Sequence, residues 1–301
     1  MKHQRLACGV SRGSGLICLA FFATIASAGS ALDRIKSSGK IVVAYQPGAP
    51  FAYTDGTTPQ PVGYSIDLCQ KFAEAIRKSL DLKTLRIDYL PVTSADRIPT
   101  ITSGRADIEC ASSTNNKQRR ELVAFSIPHF ITGTRYAVLA DSQIDAVQDF
   151  YGKKVVSVTG STALASIARA NKERMLGMTV VAVRTADDAL LMVERREVDG
   201  FAMDDVLLFA MISDRLDPKA FKVVGKFLTI EPLAMILPKD DREMKQIVDT
   251  EMKRLIFDGE AYKLYQHWFE QPIPPKGRSM SMPMSYLLRD FWRFPSDSVP
   301  D

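Results

Sequence analysis

Short apolar, β-branched runs alternate along this chain with longer stretches whose apolar positions recur every three or four residues. Lys40 to Ala44 (Lys-Ile-Val-Val-Ala), closed by Pro47-Gly48, has the pattern of a buried strand ending in a turn. Leu68, Phe72, Ala75 and Ile76 then form the stripe of a helix packed on a sheet. Arg86 to Leu90 predicts a second strand, Ser94 to Ser103 a short helix stopped by Gly104, and Ala106 to Cys110 a third strand. That order predicts an α/β sheet, mostly parallel and covered by helices.

The same alternation starts again after Arg135-Tyr136-Ala137-Val138-Leu139. Strands are predicted at Lys154 to Val158, Met178 to Val183 and Asp199 to Met203, with helices from Thr162 and over Asp187 to Arg195. Asp204-Asp205 opens a further helix, where acidic residues suit the positive end of the macrodipole. Leu233 to Leu237 reads as extended, Asp241 to Phe257 as a long amphipathic helix, and a helix ending near Trp268 precedes the Pro-rich segment around Pro272 to Pro275. Two α/β lobes are therefore expected, which 301 residues accommodate.

The first 28 residues carry Lys2, Arg5 and Arg12 without an acid, then an apolar stretch from Leu16 to Ile25, then Ala26-Ser27-Ala28. This is the layout of a cleaved secretory signal, with Ala31 as an alternative cut; the apolar core is shorter than the roughly 20 residues of a membrane span. A membrane anchor is the competing reading, and Ile17 before Cys18 disfavours a lipoprotein. Without the signal, the 39 Lys+Arg and 35 Asp+Glu of the chain become 36 and 35, a net charge of +1 that gives no bulk attraction for nucleic acid. Cys69 and Cys110 remain as a pair in a compartment that permits disulfides, either bridged or as two buried thiols. His129 and His267 fit no metal-ligand spacing, so no metal site is expected. Nucleophile elbow, P-loop and GxGxxG signatures are absent, and no cofactor is implied.

The polar run Ser112-Ser113-Thr114-Asn115-Asn116-Lys117-Gln118-Arg119 follows the third strand, at the strand end where open α/β sheets bind ligands. Arg119 with Ser112 and Thr114 would suit a carboxylate, against the alternative of a solvated helix start. Asp204 would suit an ammonium, against the alternative of a helix cap.

Val62-Gly63-Tyr64-Ser65-Ile66-Asp67, Arg97-Ile98-Pro99, Glu109-Cys110, Thr114-Asn115-Asn116, Phe125-Ser126, Gly133-Thr134-Arg135, Met203-Asp204-Asp205 and Ile273-Pro274-Pro275-Lys276 occur in order. With them the chain resembles the periplasmic amino-acid-binding proteins of ABC importers, bacterial extracellular solute-binding protein family 3, and within it the glutamate/aspartate-binding group. The resemblance implies two lobes joined by crossings near 132–138 and 229–235 and closed by a hinge. After the signal at 1–28, lobe 1 would comprise 29–134 and 232–301, and lobe 2 would comprise 135–231. Thr114, Arg119 and Ser112 would take the ligand α-carboxylate and Asp204 its α-ammonium. Ser161 and Thr162 would add hydroxyls, Ser94 and Arg97 would approach the side chain, and Phe51 would pack against it.

Two positions depart from the acidic-ligand pattern: Gln46-Pro47 stands where an Arg is expected, and Ala186 where a His is expected. Glutamine or asparagine thus competes with glutamate and aspartate as ligand. The expected protein is a monomeric, non-enzymatic periplasmic binding protein that delivers a polar L-amino acid to an inner-membrane ABC permease. The competing class is a periplasmic lyase or dehydratase on the same scaffold, acting on an amino-acid-like or prephenate-like acid. A detached sensor domain is disfavoured. The tail from Gly277, with Met280, Met282, Met284, Phe291 and Trp292, is expected to pack on lobe 1 rather than contact a partner.

Overall fold

The structure, a computed structural model, describes residues 30–298, so the signal segment lies outside the described residues. Lobe 1 opens with helix α1 (Ala31–Ser38), capped reciprocally by Ser30 and Asp33, and strand β1 (Lys40–Tyr45). It continues through α2 (Tyr64–Ser79), β2 (Arg86–Pro91), α3 (Arg97–Thr102), β3 (Ile108–Glu109), α4 (Lys117–Arg120) and β4 (Ala124–Phe125). After β5 (Phe130–Thr132), lobe 2 contains β6 (Thr134–Leu139), β7 (Lys154–Val158), α5 (Thr162–Glu173), β8 (Thr179–Val183), α6 (Ala186–Glu194), β9 (Gly200–Asp204), α7 (Asp205–Ser213) and β10 (Phe221–Val224). The chain returns through β11 (Glu231–Leu233) and β12 (Ile236–Leu237) to α8 (Arg242–Phe257), α9 (Glu260–Tyr265) and α10 (Tyr286–Phe291).

The lobe 1 sheet has the order β2-β1-β3-β12-β4 and the lobe 2 sheet the order β10-β6-β9-β7-β8. Strands linked through helices run parallel, β1 to β2 and β3, and β7 to β8 and β9. The strands through which the chain enters lobe 2 and re-enters lobe 1 are antiparallel to their neighbours: β6 to β9 and β10, and β12 to β3 and β4. Between the sheets, β5 and β11 pair antiparallel, with Thr132 opposite Glu231, and form a two-stranded crossing. The extended segment expected over Leu233 to Leu237 thus divides, its first residue in the crossing and its last two in the lobe 1 sheet.

On α2, Leu68, Phe72 and Ile76 are buried in a core shared with Ile41 and Val43 of β1 and Ile108 of β3. Each such side chain contributes roughly 1.5–3 kcal/mol of burial. A disulfide between Cys69 on α2 and Cys110 after β3, with Cα atoms 6.3 Å apart, fastens the helix to the strand end that carries the polar loop. The tail packs on lobe 1: Met284, Leu288 and Trp292 are buried, and the Trp292 indole donates to Pro128 O at 3.3 Å.

Candidate ligand-binding site

The carboxyl ends of β1, β3, β7 and β9 face one another across the crossing, so polar residues after each strand meet at the lobe interface. Gln46, Ser94, Arg97, Ser112 and Thr114 of lobe 1 and Ser161, Thr162, Met203 and Asp204 of lobe 2 enclose a cavity of about 10 Å³. That volume is near the room one water needs, so the lobes are closed on each other. At Gly160, with φ +80°, a Cβ would lie 2.8 Å from Ala95 Cα of lobe 1. Only glycine allows both that backbone and that approach.

Arg97 is 4% exposed at the start of α3. Its Nη1 donates to Gln46 Oε1 at 3.1 Å and to Ser113 Oγ at 3.0 Å, and Ser113 donates to Glu109 Oε1 at 3.0 Å. Burial lowers the Arg97 pKa against the pull of Glu109, and burial raises that of Glu109 against the pull of Arg97. Arg119 is buried rather than solvated. Asn116 Oδ1 accepts from its backbone N–H at 2.9 Å, which turns the chain into α4. The guanidinium then reaches Thr114 O and, across the interface, Gly160 O, both at 3.1 Å. Burial, followed by repulsion from Arg97, lowers its pKa to about 9, so it stays charged at neutral pH.

Asp204 ends β9 directly before α7, yet its side chain makes no cap hydrogen bond and lines the cavity. Burial and the neighbouring Glu231 hold its carboxyl well above the usual carboxylate range, with Arg97 and Arg119 opposing. Such a group is a ready partner for a ligand ammonium, whose charge would favour the ionised form. Ser161 caps α5 by accepting from Leu164 N at 3.1 Å, and Thr162 is the first residue of that helix, so the positive end of α5 points at the cavity.

Phe51 differs from its expected place. Its ring is 1% exposed in the lobe 1 core, 5.3 Å from Phe130 and 5.6 Å from Phe269, and it does not line the cavity. Ser65 N at the start of α2 donates to the Phe51 backbone carbonyl at 2.9 Å, which holds Phe51 on the helix-packing side of lobe 1. His129 lies beside it, 6.0 Å away, and burial lowers its pKa to about 3. A neutral, buried imidazole of this kind is not placed for proton transfer in the cavity.

Sequence reasoning missed Glu231. This residue is 2% exposed in β11 and accepts from Thr114 Oγ1 at 2.6 Å, Thr134 Oγ1 at 2.9 Å, Thr229 Oγ1 at 2.6 Å and Thr162 Oγ1. An acid between Ile230 and Pro232 in an extended segment was its one sequence signal.

Two α/β lobes, joined by a paired crossing and closed on a buried cluster of two guanidiniums and three carboxylates, define a hinged binding protein. The chain belongs to the bacterial extracellular solute-binding proteins, family 3, which it matches over residues 41–271. It is 35% identical over 272 residues to an L-glutamate/L-aspartate-binding protein of Pseudomonas aeruginosa, covering 90% of each chain. To a glutamate/aspartate import solute-binding protein of Salmonella typhimurium it is 34% identical, over 91% of this chain and 90% of that one. The crystal structure of a cysteine-binding protein from Campylobacter jejuni superposes with a TM-score of 0.69 at 25% identity, over 79% of this chain and 92% of that one. These relatives are binding proteins, which supports binding over the lyase reading. No helix among the described residues is long and apolar enough to cross a membrane.

Proposed function

We propose that this protein captures a polar L-amino acid of the glutamate/aspartate class in the periplasm and hands it to an inner-membrane ABC permease. The carrying observation is the polarity of the closed cavity, lined by buried Arg97 on lobe 1 and buried Asp204 on lobe 2; Arg119 is buried outside that lining, bonded to Thr114 O and Gly160 O. The names of the Pseudomonas and Salmonella relatives support the acidic class. In this reading Arg119, Thr114 and Ser112, with the N-terminus of α5, take the α-carboxylate, and Asp204 takes the α-ammonium. Arg97 and Gln46 take the side chain. Because Gln46 Oε1 already accepts from Arg97, its amide N–H groups remain as donors, and donors suit a carboxylate.

The space between Arg97, Thr114, Thr162 and Asp204 is about 10 Å³, too small for an α-carboxylate and α-ammonium, so binding there requires the lobes to part, while a space of about 760 Å³ opens beside it from Gln46 and Ser94 to Ala186 and Met203. The export signal is read as cleaved after Ala28. A cut after Ala31 would remove Ser30, which caps α1, and Ala31, which is buried. The protein acts as a monomer in this reading and binds no nucleic acid.

The test is a thermal-shift screen of refolded residues 29–301 against the twenty L-amino acids. A ligand at 100 times its dissociation constant adds about 2.7 kcal/mol of apparent stability. Shifts confined to glutamate and aspartate are expected. Shifts with glutamine or asparagine instead would assign Gln46 to an amide ligand, and Gln46→Arg should then move the preference toward glutamate.

A further inference from the structure

The carboxylate of Glu231 sits where the two lobes and the two crossing strands converge. Each piece supplies it a hydroxyl: Thr114 from the lobe 1 loop after β3, Thr162 from the first turn of α5 in lobe 2, Thr134 from the residue that opens β6, and Thr229 from the approach to β11. One oxygen, Oε2, accepts from both Thr114 and Thr162, whose own hydroxyl oxygens stand 3.4 Å apart. Both threonines line the ligand cavity. The other oxygen, Oε1, is held by Thr134 and Thr229 at the lobe 2 end of the crossing, and Thr229 also reaches Thr134 at 3.1 Å.

We propose that Glu231 is a positioning residue that couples lobe closure to the ligand cavity, holding Thr114 and Thr162 together in the closed form. Hydrogen bonds to an ionised acceptor are the strong ones, and a buried carboxylate that loses a donor bears the cost of its own desolvation. Thr134 and Thr229 stand two residues from the paired Thr132 and Glu231, beside the axis about which lobe 2 turns, so rotation moves the Oε1 partners little. It must separate Thr114 from Thr162, so a single Oε2 cannot keep both. The closed arrangement is therefore the one in which this carboxylate is fully satisfied. The same event sets the spacing of two hydroxyls that face the ligand. Glu231 needs no contact with ligand to do this.

The ligand half of the test rests on the amino-acid-binding reading, and the lobe-distance half does not. Spin labels at Lys83→Cys on lobe 1 and Lys172→Cys on lobe 2, both exposed, report lobe separation by pulsed dipolar spectroscopy in the full mature chain. Stopped-flow dissociation of L-glutamate reports the cavity. In Glu231→Ala the distance distribution should broaden to longer separations, and glutamate should leave about tenfold faster. Glu231→Gln, which keeps the shape but only one acceptor oxygen, should fall between that variant and the parent, as should Thr134→Val, which removes a donor outside the cavity. Melting temperature separates this from mere destabilisation. Parental distances and dissociation rates in Glu231→Gln and Thr134→Val, even with a lowered melting temperature, would overturn the proposal, as would tighter glutamate binding. Should the parent bind no glutamate, the functional reading fails while the distances still decide the role of Glu231.

Discussion

Arg119 follows Thr114 by five residues, and its guanidinium is the point where the lobe 1 loop touches the Gly160 backbone of lobe 2. Replacing Arg119 with Ala removes the charge expected to clamp the α-carboxylate. Affinity should fall by about a hundredfold or more, since each charge-assisted hydrogen bond contributes roughly 1.5–3 kcal/mol, while the circular dichroism spectrum stays that of the folded chain. Unchanged affinity by calorimetry would remove Arg119 from the site. Asp204 sets a pH dependence. Its carboxyl keeps a proton to higher pH in the fold than in the unfolded chain, so between those two values the fold binds more protons, and this group's contribution to stability falls as pH rises. A bound ammonium reverses the preference by favouring the carboxylate. Binding then expels the proton, and affinity should rise with pH up to the elevated Asp204 value and flatten above it. Calorimetry in buffers of different ionisation enthalpy would detect the released proton, and Asp204→Asn should abolish the slope.

At the scale of elements, the site is made by strand ends and by the loops that leave them. The runs over Lys40 to Ala44 and Lys154 to Val158 predicted β1 and β7 closely because both are largely buried and so carry mostly apolar sequence, Ser157 being the buried polar exception that donates to Ala202 O. The helix expected from Ser94 begins only at Arg97, since Thr93 and Asp96 first hydrogen-bond to each other at 2.6 Å and close a turn. Strand β10 and the short β4 and β5 carry no comparable run and are defined by their partners in space. The loop between β7 and α5 must come within contact of the Ala95 loop, and Gly160 is the residue that permits it. Gly160→Ala should therefore leave lobe 2 folded but hold the lobes apart. The expected outcome is weaker ligand binding and a larger radius of gyration by small-angle scattering with ligand present. A variant as compact and as tightly bound as the parent would show that the loop yields without cost.

Across the whole molecule, the C-terminal segment links the functional parts. Lys276 pairs with Asp214 at 2.7 Å at the end of α7, which ties a turn of the lobe 1 return segment to lobe 2. Farther on, Asn115 of the polar loop after β3 donates to Asp297 O at 3.3 Å, and Lys245 pairs with the Asp297 carboxylate at 2.9 Å. Deleting residues 279–301 would uncover the surface now covered by Met284, Leu288 and Trp292. A loss of about 5 kcal/mol is expected from three such side chains, read as a lower melting temperature in calorimetry. An unchanged transition would mean that the tail is free to serve a partner instead.

The sequence by itself determined the two α/β lobes and the polar loop after the third strand, because periodicity and turn chemistry act over neighbours in the chain. The ordered motifs, through the family they resemble, also named Thr114, Arg119, Asp204, Ser94, Arg97, Ser112, Ser161 and Thr162, together with Gln46 at a departure from the pattern. Tertiary structure alone decided what those residues meet. It turned Phe51 into the core, gave Arg97 to Gln46 and Ser113, freed Asp204 from a capping role, and brought four threonines from 114, 134, 162 and 229 onto Glu231. A buried carboxylate is tolerable only where enough donors converge on it, and convergence of residues up to 117 positions apart is a property of packing that no local pattern in the chain encodes.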